Sequence, residues 1–103
     1  ALNSDLSIKK IKGKDRPIIN EDDRVKILSS FDFIDMIIVF SEENPLKLIT
    51  TLKPDIMFKG KDYKLKDVVG SKEVSSWGGE TKLIDYEKGK STTILINRIR
   101  NEA

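Results

Sequence analysis

Three polar clusters carry the residue types most suited to holding phosphate: Asn3-Ser4-Asp5, Lys59-Gly60-Lys61-Asp62-Tyr63 and Gly89-Lys90-Ser91-Thr92-Thr93. The last is the sharpest. A glycine lets an anion approach the backbone, Ser91 and Thr92 add hydroxyl donors, and a helix N-terminus offers free N–H groups and the positive end of its dipole. It is not a Walker loop, because the G-x-x-x-x-G-K-[ST] spacing is missing. Ser91 would serve equally as a plain helix cap, and both readings stand at this point. Lys9, Lys10, Lys12 and Lys14 make a basic stretch that could hold phosphates or form an ordinary solvated face. Lys59 directly follows an apolar run and precedes a glycine, which places it towards the ligand side of a sheet; a surface ion pair with Asp62 would explain it as well. The 103 residues contain no histidine and no cysteine. Any general base in the chain is therefore Asp, Glu, Lys or Tyr, and a Cys/His zinc site is excluded.

Other chemistry-bearing side chains read more blandly. Glu21, Asp22 and Asp23 fit the first turn of a helix, where carboxylates favour the dipole, rather than an acid/base pair or a metal site. Arg24 lies where a cation is mildly disfavoured, which points to a ligand or a carboxylate partner. Trp77 reads as a packing residue, and Tyr63 either stacks on a base or covers the core edge. Nineteen basic residues against seventeen acidic ones give +2, no electrostatic case for nucleic acid. The longest apolar run, Met36 to Phe40, is far short of the ~20 residues a membrane span requires, so a soluble cytoplasmic protein is the expectation.

These clusters must be positioned by short elements. Ala1-Leu2 reads as a strand end turning directly into a helix over Leu6 to Ile11, stopped by Gly13. With no initiator Met, a preceding segment is expected. Asn20 caps a second helix with Val25, Leu28 and Phe31 as its buried stripe. Met36 to Phe40 has the pattern of a strand covered on both faces. A helix from Asn44-Pro45 buries Leu46, Ile49 and Leu52 and stops at Pro54. Then come a strand over Ile56 to Phe58, a loop over Lys59 to Lys64, a helical turn over Lys66 to Val69, a helix over Ser71 to Trp77 and a strand over Lys82 to Asp85. Ser91 begins a final helix carrying Ile94, Leu95 and Ile99. Alternating strands and helices with short apolar strand cores specify an α/β fold with a mostly parallel sheet. In such sheets ligands bind beyond the strands' carboxyl ends, where the three clusters fall.

Taken in order, Asn3-Ser4-Asp5, Lys12-Gly13, Arg16-Pro17, Asn20, Arg24, Lys59 to Tyr63, Gly70-Ser71-Lys72-Glu73-Val74, Gly78-Gly79 and Gly89 to Thr93 resemble the adenylyltransferase domain that makes ADP-heptose, within the cytidylyltransferase-like nucleotidyltransferases. The likeness covers essentially the whole chain. It implies a Rossmann-like three-layer sandwich and transfer of a nucleotidyl group from ATP, with Mg²⁺, to heptose 1-phosphate, releasing pyrophosphate. It implies that Lys10, Lys12, Arg24, Lys59, Gly60, Asp62, Gly89, Ser91 and Thr92 bind nucleotide or phosphate, that Asn3 and Asp5 lie at the substrate, and that Lys12 is the one candidate for a catalytic role. No metal ligand is implied among these residues. Members often dimerise, and a sugar kinase domain is found fused upstream or separate.

Two departures qualify the likeness. Tyr86 stands where glycerol-phosphate cytidylyltransferases carry arginine, which favours the heptose branch; a polyol-phosphate cytidylyltransferase and a non-catalytic nucleotide-binding remnant are the alternatives. The H-x-G-H segment and its strand are absent. The family's strand order is 3-2-1-4-5, so residues 1–103 are expected to be the C-terminal portion of one domain, lacking its central first strand and most of its second, and inactive alone. A continuous sheet built from these residues would overturn that expectation.

Overall fold

Among the described residues, four short strands form two separate parallel pairs. The computed structural model describes residues 1–60 and 64–102. β1 (Leu2–Asn3) pairs with β2 (Val39–Phe40), in register Leu2 with Val39 and Asn3 with Phe40. β3 (Ile56–Gly60) pairs with β4 (Glu80–Ile84) over five residues, from Ile56 opposite Glu80 to Gly60 opposite Ile84. No ladder joins the two pairs among the described residues.

The helices form where local chemistry starts and stops them. α1 (Asp5–Lys12) begins at Ser4, whose hydroxyl accepts the Ser7 N–H, and ends at Gly13, at φ 100°. α2 (Glu21–Ser29) begins at Asn20, whose side chain accepts the Asp23 N–H at 2.9 Å. Both connect β1 to β2. α3 (Leu46–Leu52) ends on Lys53 in the left-handed region, one residue before Pro54. A 3-10 turn (Leu65–Asp67) and α4 (Ser71–Ser76) cross from β3 to β4. α5 (Thr92–Glu102) closes the described chain.

The β3–β4 unit holds most of the close packing. Val74 of α4 is fully buried, and Val68, Ile49 and Phe40 are the other buried apolar side chains among the described residues. Gly79 is small because it must be: a Cβ there would stand 2.7 Å from Val74 Cγ1 and 2.9 Å from the carbonyl oxygens of Pro54 and Asp55. The Trp77 indole N–H donates to the Pro54 carbonyl at 3.0 Å, so this residue packs as its sequence setting suggests.

Elsewhere the structure corrects the sequence. Met36 to Ile38 are not strand, and Met36 is 73% exposed. β1 pairs only with Val39 and Phe40, and although the Ile38 carbonyl accepts the Leu2 N–H at 2.8 Å, Met36 and Ile37 gain no ladder partner among the described residues. No α2 side chain is fully buried: Val25 and Leu28 are half-buried and Phe31 is exposed. In α3 only Ile49 is buried, with Leu46 and Leu52 exposed. In α5 the exposed residues are those expected inside, Ile94, Leu95 and Ile99, while Ile96 is half-buried. β3 runs on through Lys59 and Gly60, because β4 gives each a ladder partner.

The accessible surface, 8260 Å², exceeds the roughly 5,900 Å² of a close-packed monomer of 11.7 kDa. The radius of gyration is 15.3 Å against about 13 Å for a compact chain of this length. Between the two strand pairs lies a largely apolar cavity of about 780 Å³, bordered by Phe40 on one side and Ile56 and Phe58 on the other.

Candidate phosphate-binding site

At the carboxyl end of β3–β4 the chain makes a second cavity, about 510 Å³, lined by Gly60, Tyr86, Glu87, Gly89, Lys90, Ser91 and Ile94. Gly60 is the last residue of β3, and Tyr86 to Ser91 is the loop from β4 into α5. The Lys90 N–H reaches back to the Glu87 carbonyl at 3.4 Å, forming a turn. Gly89 sits at φ 80° with nothing within 4 Å of an added Cβ. Its backbone conformation, not crowding, selects glycine here, and the open space leaves that backbone accessible.

Ser91 caps α5: its hydroxyl accepts the Ile94 N–H at 3.1 Å, and its carbonyl accepts the Leu95 N–H. Capping uses the oxygen as acceptor and leaves the O–H free to donate to a phosphate oxygen, so the two roles coexist on one side chain. Thr92 is the first residue of α5 but does not line the cavity.

The remaining sequence-derived candidates lie elsewhere. Asn3, Lys12 and Lys59 line the larger cavity between the strand pairs. Lys10 is exposed in the last turn of α1 and lines neither cavity. Asp62 lies outside the described residues, as do Lys61 and Tyr63.

Arg24 has the carboxylate partner that its sequence position hinted at. Its Nη2 donates to Asp5 Oδ1 at 2.9 Å, its Nη1 to the Asn3 carbonyl at 2.8 Å and its Nε to the Ile19 carbonyl at 3.0 Å. The guanidinium thereby clamps the β1–α1 turn to the start of α2. Nearby, Asn3 Nδ2 donates to Ser7 Oγ at 2.8 Å, and the fully buried Ser7 hydroxyl closes the turn. Glu21, expected only as a helix-start charge, also accepts the Asp5 N–H at 3.3 Å. Asp5 is thus held in place from both sides.

One contact had no sequence signal. Arg16 Nη2 donates to Thr93 Oγ1 at 3.0 Å, joining the loop after α1 to the first turn of α5. Residues 77 positions apart give no local pattern that could announce such a bond.

Among the described residues no group of three carboxylates, histidines or cysteines gathers to cage a metal ion, and no helix is long and apolar enough to cross a membrane. The small cavity offers backbone, hydroxyl and ammonium groups with the single carboxylate Glu87, a donor set suited to an anion.

The cytidylyltransferase-like family model matches residues 1–98. The chain belongs to the cytidylyltransferase-like family. Relatives agree along nearly its whole length. It is 51% identical to the bifunctional protein HldE of Campylobacter concisus over 100 residues, covering 97% of this chain and 20% of that protein. It is 51% identical to the HldE of Syntrophotalea carbinolica over 98 residues, covering 95% and 20%. With the HldE of Campylobacter fetus the identity is 50% over 99 residues, covering 96% and 21%. The chain thus spans about a fifth of the length of the curated relatives it matches. Family membership gives a Rossmann-like fold, to which the helices and short parallel strands conform.

Proposed function

We propose that residues 1–103 are the C-terminal portion of a nucleotidyltransferase domain that moves an adenylyl group from ATP to heptose 1-phosphate. The observation that carries this reading is the cavity at the carboxyl end of β3–β4, where Gly60, Gly89, Lys90 and Ser91 meet at the start of α5. An open glycine backbone, a hydroxyl and a lysine line it beside the N-terminal turn of α5, donors of the kind that phosphate oxygens require.

In the reaction, an acceptor phosphate oxygen attacks the α-phosphorus of ATP. The bond from that phosphorus to the bridging oxygen breaks, and pyrophosphate leaves with the electron pair. No covalent enzyme intermediate forms, so the protein contributes position and charge stabilisation. Gly89, Lys90 and Ser91 bind phosphate at the α5 end. Lys12, at the end of α1, and Lys59, near the carboxyl end of β3, add positive charge, Lys12 being the chain's candidate for direct stabilisation of the transferring phosphate. Asn3 and Asp5 present the β1 end to the acceptor, with Arg24 fixing their turn. A Mg²⁺ would arrive with the triphosphate rather than be caged by this chain, whose described carboxylates form no group of three. When bound, that ion neutralises developing phosphate charge.

The same reading makes the two strand pairs parts of one sheet, with the 780 Å³ apolar cavity as the place of a central strand supplied from outside these residues. The transferring-phosphate histidines implied by the family likeness would come with it, and the 103-residue chain alone would be inactive. HldE is named a bifunctional protein, which supports a second domain such as a sugar kinase in the native protein; a homodimer and a cytoplasmic location complete the proposal.

Pyrophosphate release by the intact native protein, measured with heptose 1-phosphate and either ATP or CTP plus Mg²⁺, tests the assignment. Release that requires both the sugar phosphate and ATP is expected. Preference for CTP with a polyol phosphate would replace it with the cytidylyltransferase alternative, and nucleotide binding without turnover would leave a binding module.

A further inference from the structure

The candidate site residues are divided between two bodies of the fold. Asn3, Asp5, Lys10, Lys12 and Arg24 belong to the β1–β2 unit, whereas Lys59, Gly60, Gly89, Ser91 and Thr92 belong to β3, β4 and α5. A transfer between two bound substrates needs both sets on one geometry, and a misplacement of about 1 Å can cost on the order of 100-fold in rate. Something must therefore hold the α1 side against the α5 side.

We infer that Arg16 is a positioning residue, clasping the loop after α1 to the first turn of α5 through Thr93. The inference rests on the nucleotidyl-transfer reading above. Arg16 is half-buried, and its Nη2 donates to Thr93 Oγ1 at 3.0 Å. Its loop is not slack: the Arg16 N–H donates to the Gly13 carbonyl at 3.2 Å, at the turn that ends α1 immediately after Lys12. Thr93 stands two residues beyond Ser91. The bond thus links the residue neighbourhood of Lys12 to that of the phosphate-binding turn. Among the described residues the side-chain partner of the Arg16 guanidinium is this hydroxyl and not a carboxylate. A planar guanidinium keeps a fixed fork geometry, which suits a clasp better than a flexible ammonium does.

Steady-state kinetics of the intact native protein carrying Arg16→Ala, Thr93→Val and both together test the clasp. Arg16→Ala should lower kcat about 10–100-fold while the KM values for ATP and for sugar phosphate each move less than about threefold. Arg16→Lys should restore part of the loss, because an ammonium can still donate to one hydroxyl. Removing one bond from either end removes the same interaction, so the double variant should be little slower than the worse single variant. Melting temperatures serve as the control for folding, and Thr93→Val retains the test if Arg16→Ala does not fold. Additive losses in the double variant, or kcat within about twofold of the unsubstituted protein in both single variants, would overturn the clasp while leaving the transferase reading intact. Absence of nucleotide-dependent pyrophosphate release from the unsubstituted protein would overturn both.

Discussion

Arg24 has three hydrogen bonds to carbonyl and carboxylate oxygens around one turn. Its replacement by alanine strands Asp5 and two carbonyl groups together, and a charged hydrogen-bonded group of this kind contributes about 2 kcal/mol. Chemical denaturation of Arg24→Ala should show a loss of that size. Arg24→Lys should recover little of it, since one ammonium cannot reproduce the three-way fork. The sequence legibly placed a cation at an unfavourable helix position needing a partner. It did not reveal whether that partner was ligand or protein, because Asp5 lies nineteen positions away and meets Arg24 only after two helices fold back. Ser91 was more legible: capping depends on neighbours three residues along, so its sequence setting contained both partners.

Helix starts and stops were readable for the same reason. Ser4, Asn20 and Gly13 act on groups within four residues, and each does so in the structure. Strand extent and burial were not readable, because both depend on distant partners. Met36 to Ile38 have strand-like side chains without a ladder, whereas Lys59 and Gly60 look like loop and are strand because Leu83 and Ile84 pair with them. A close approach to backbone occurs where α4 returns to β4. Gly79→Ala would press a methyl group against Val74 and two backbone carbonyl oxygens that cannot swing aside. Overpacking of this kind costs about 1–3 kcal/mol, measurable as a lowered denaturation midpoint. Gly13→Ala meets open space, yet φ 100° with ψ 174° is a conformation essentially reserved for glycine, so backbone strain alone should cost about 1–3 kcal/mol there.

At the scale of the molecule, excess surface and an elongated shape of 50 × 29 × 27 Å have one physical origin: apolar side chains that no layer covers. Ile56, Phe58, Ile94 and Ile99 are all about half exposed or more. The isolated 103-residue chain should therefore bind an apolar dye such as ANS in its folded state and release no pyrophosphate from ATP. Loss of dye binding in a longer native fragment would accompany gain of activity; an isolated chain that excludes dye and turns over substrate would contradict the proposed division. The unequal strand pairs carry a kinetic consequence as well. Five paired positions backed by Val74 make β3–β4 a cooperative unit, whereas β1–β2 rests on two paired positions. Backbone amides should then trade hydrogen for deuterium in two populations, slowly along Met57 to Lys59 and Thr81 to Leu83, rapidly at Leu2 and Ser4. The β1 end, which presents Asn3 and Asp5, would be the part that opens first and recloses most often.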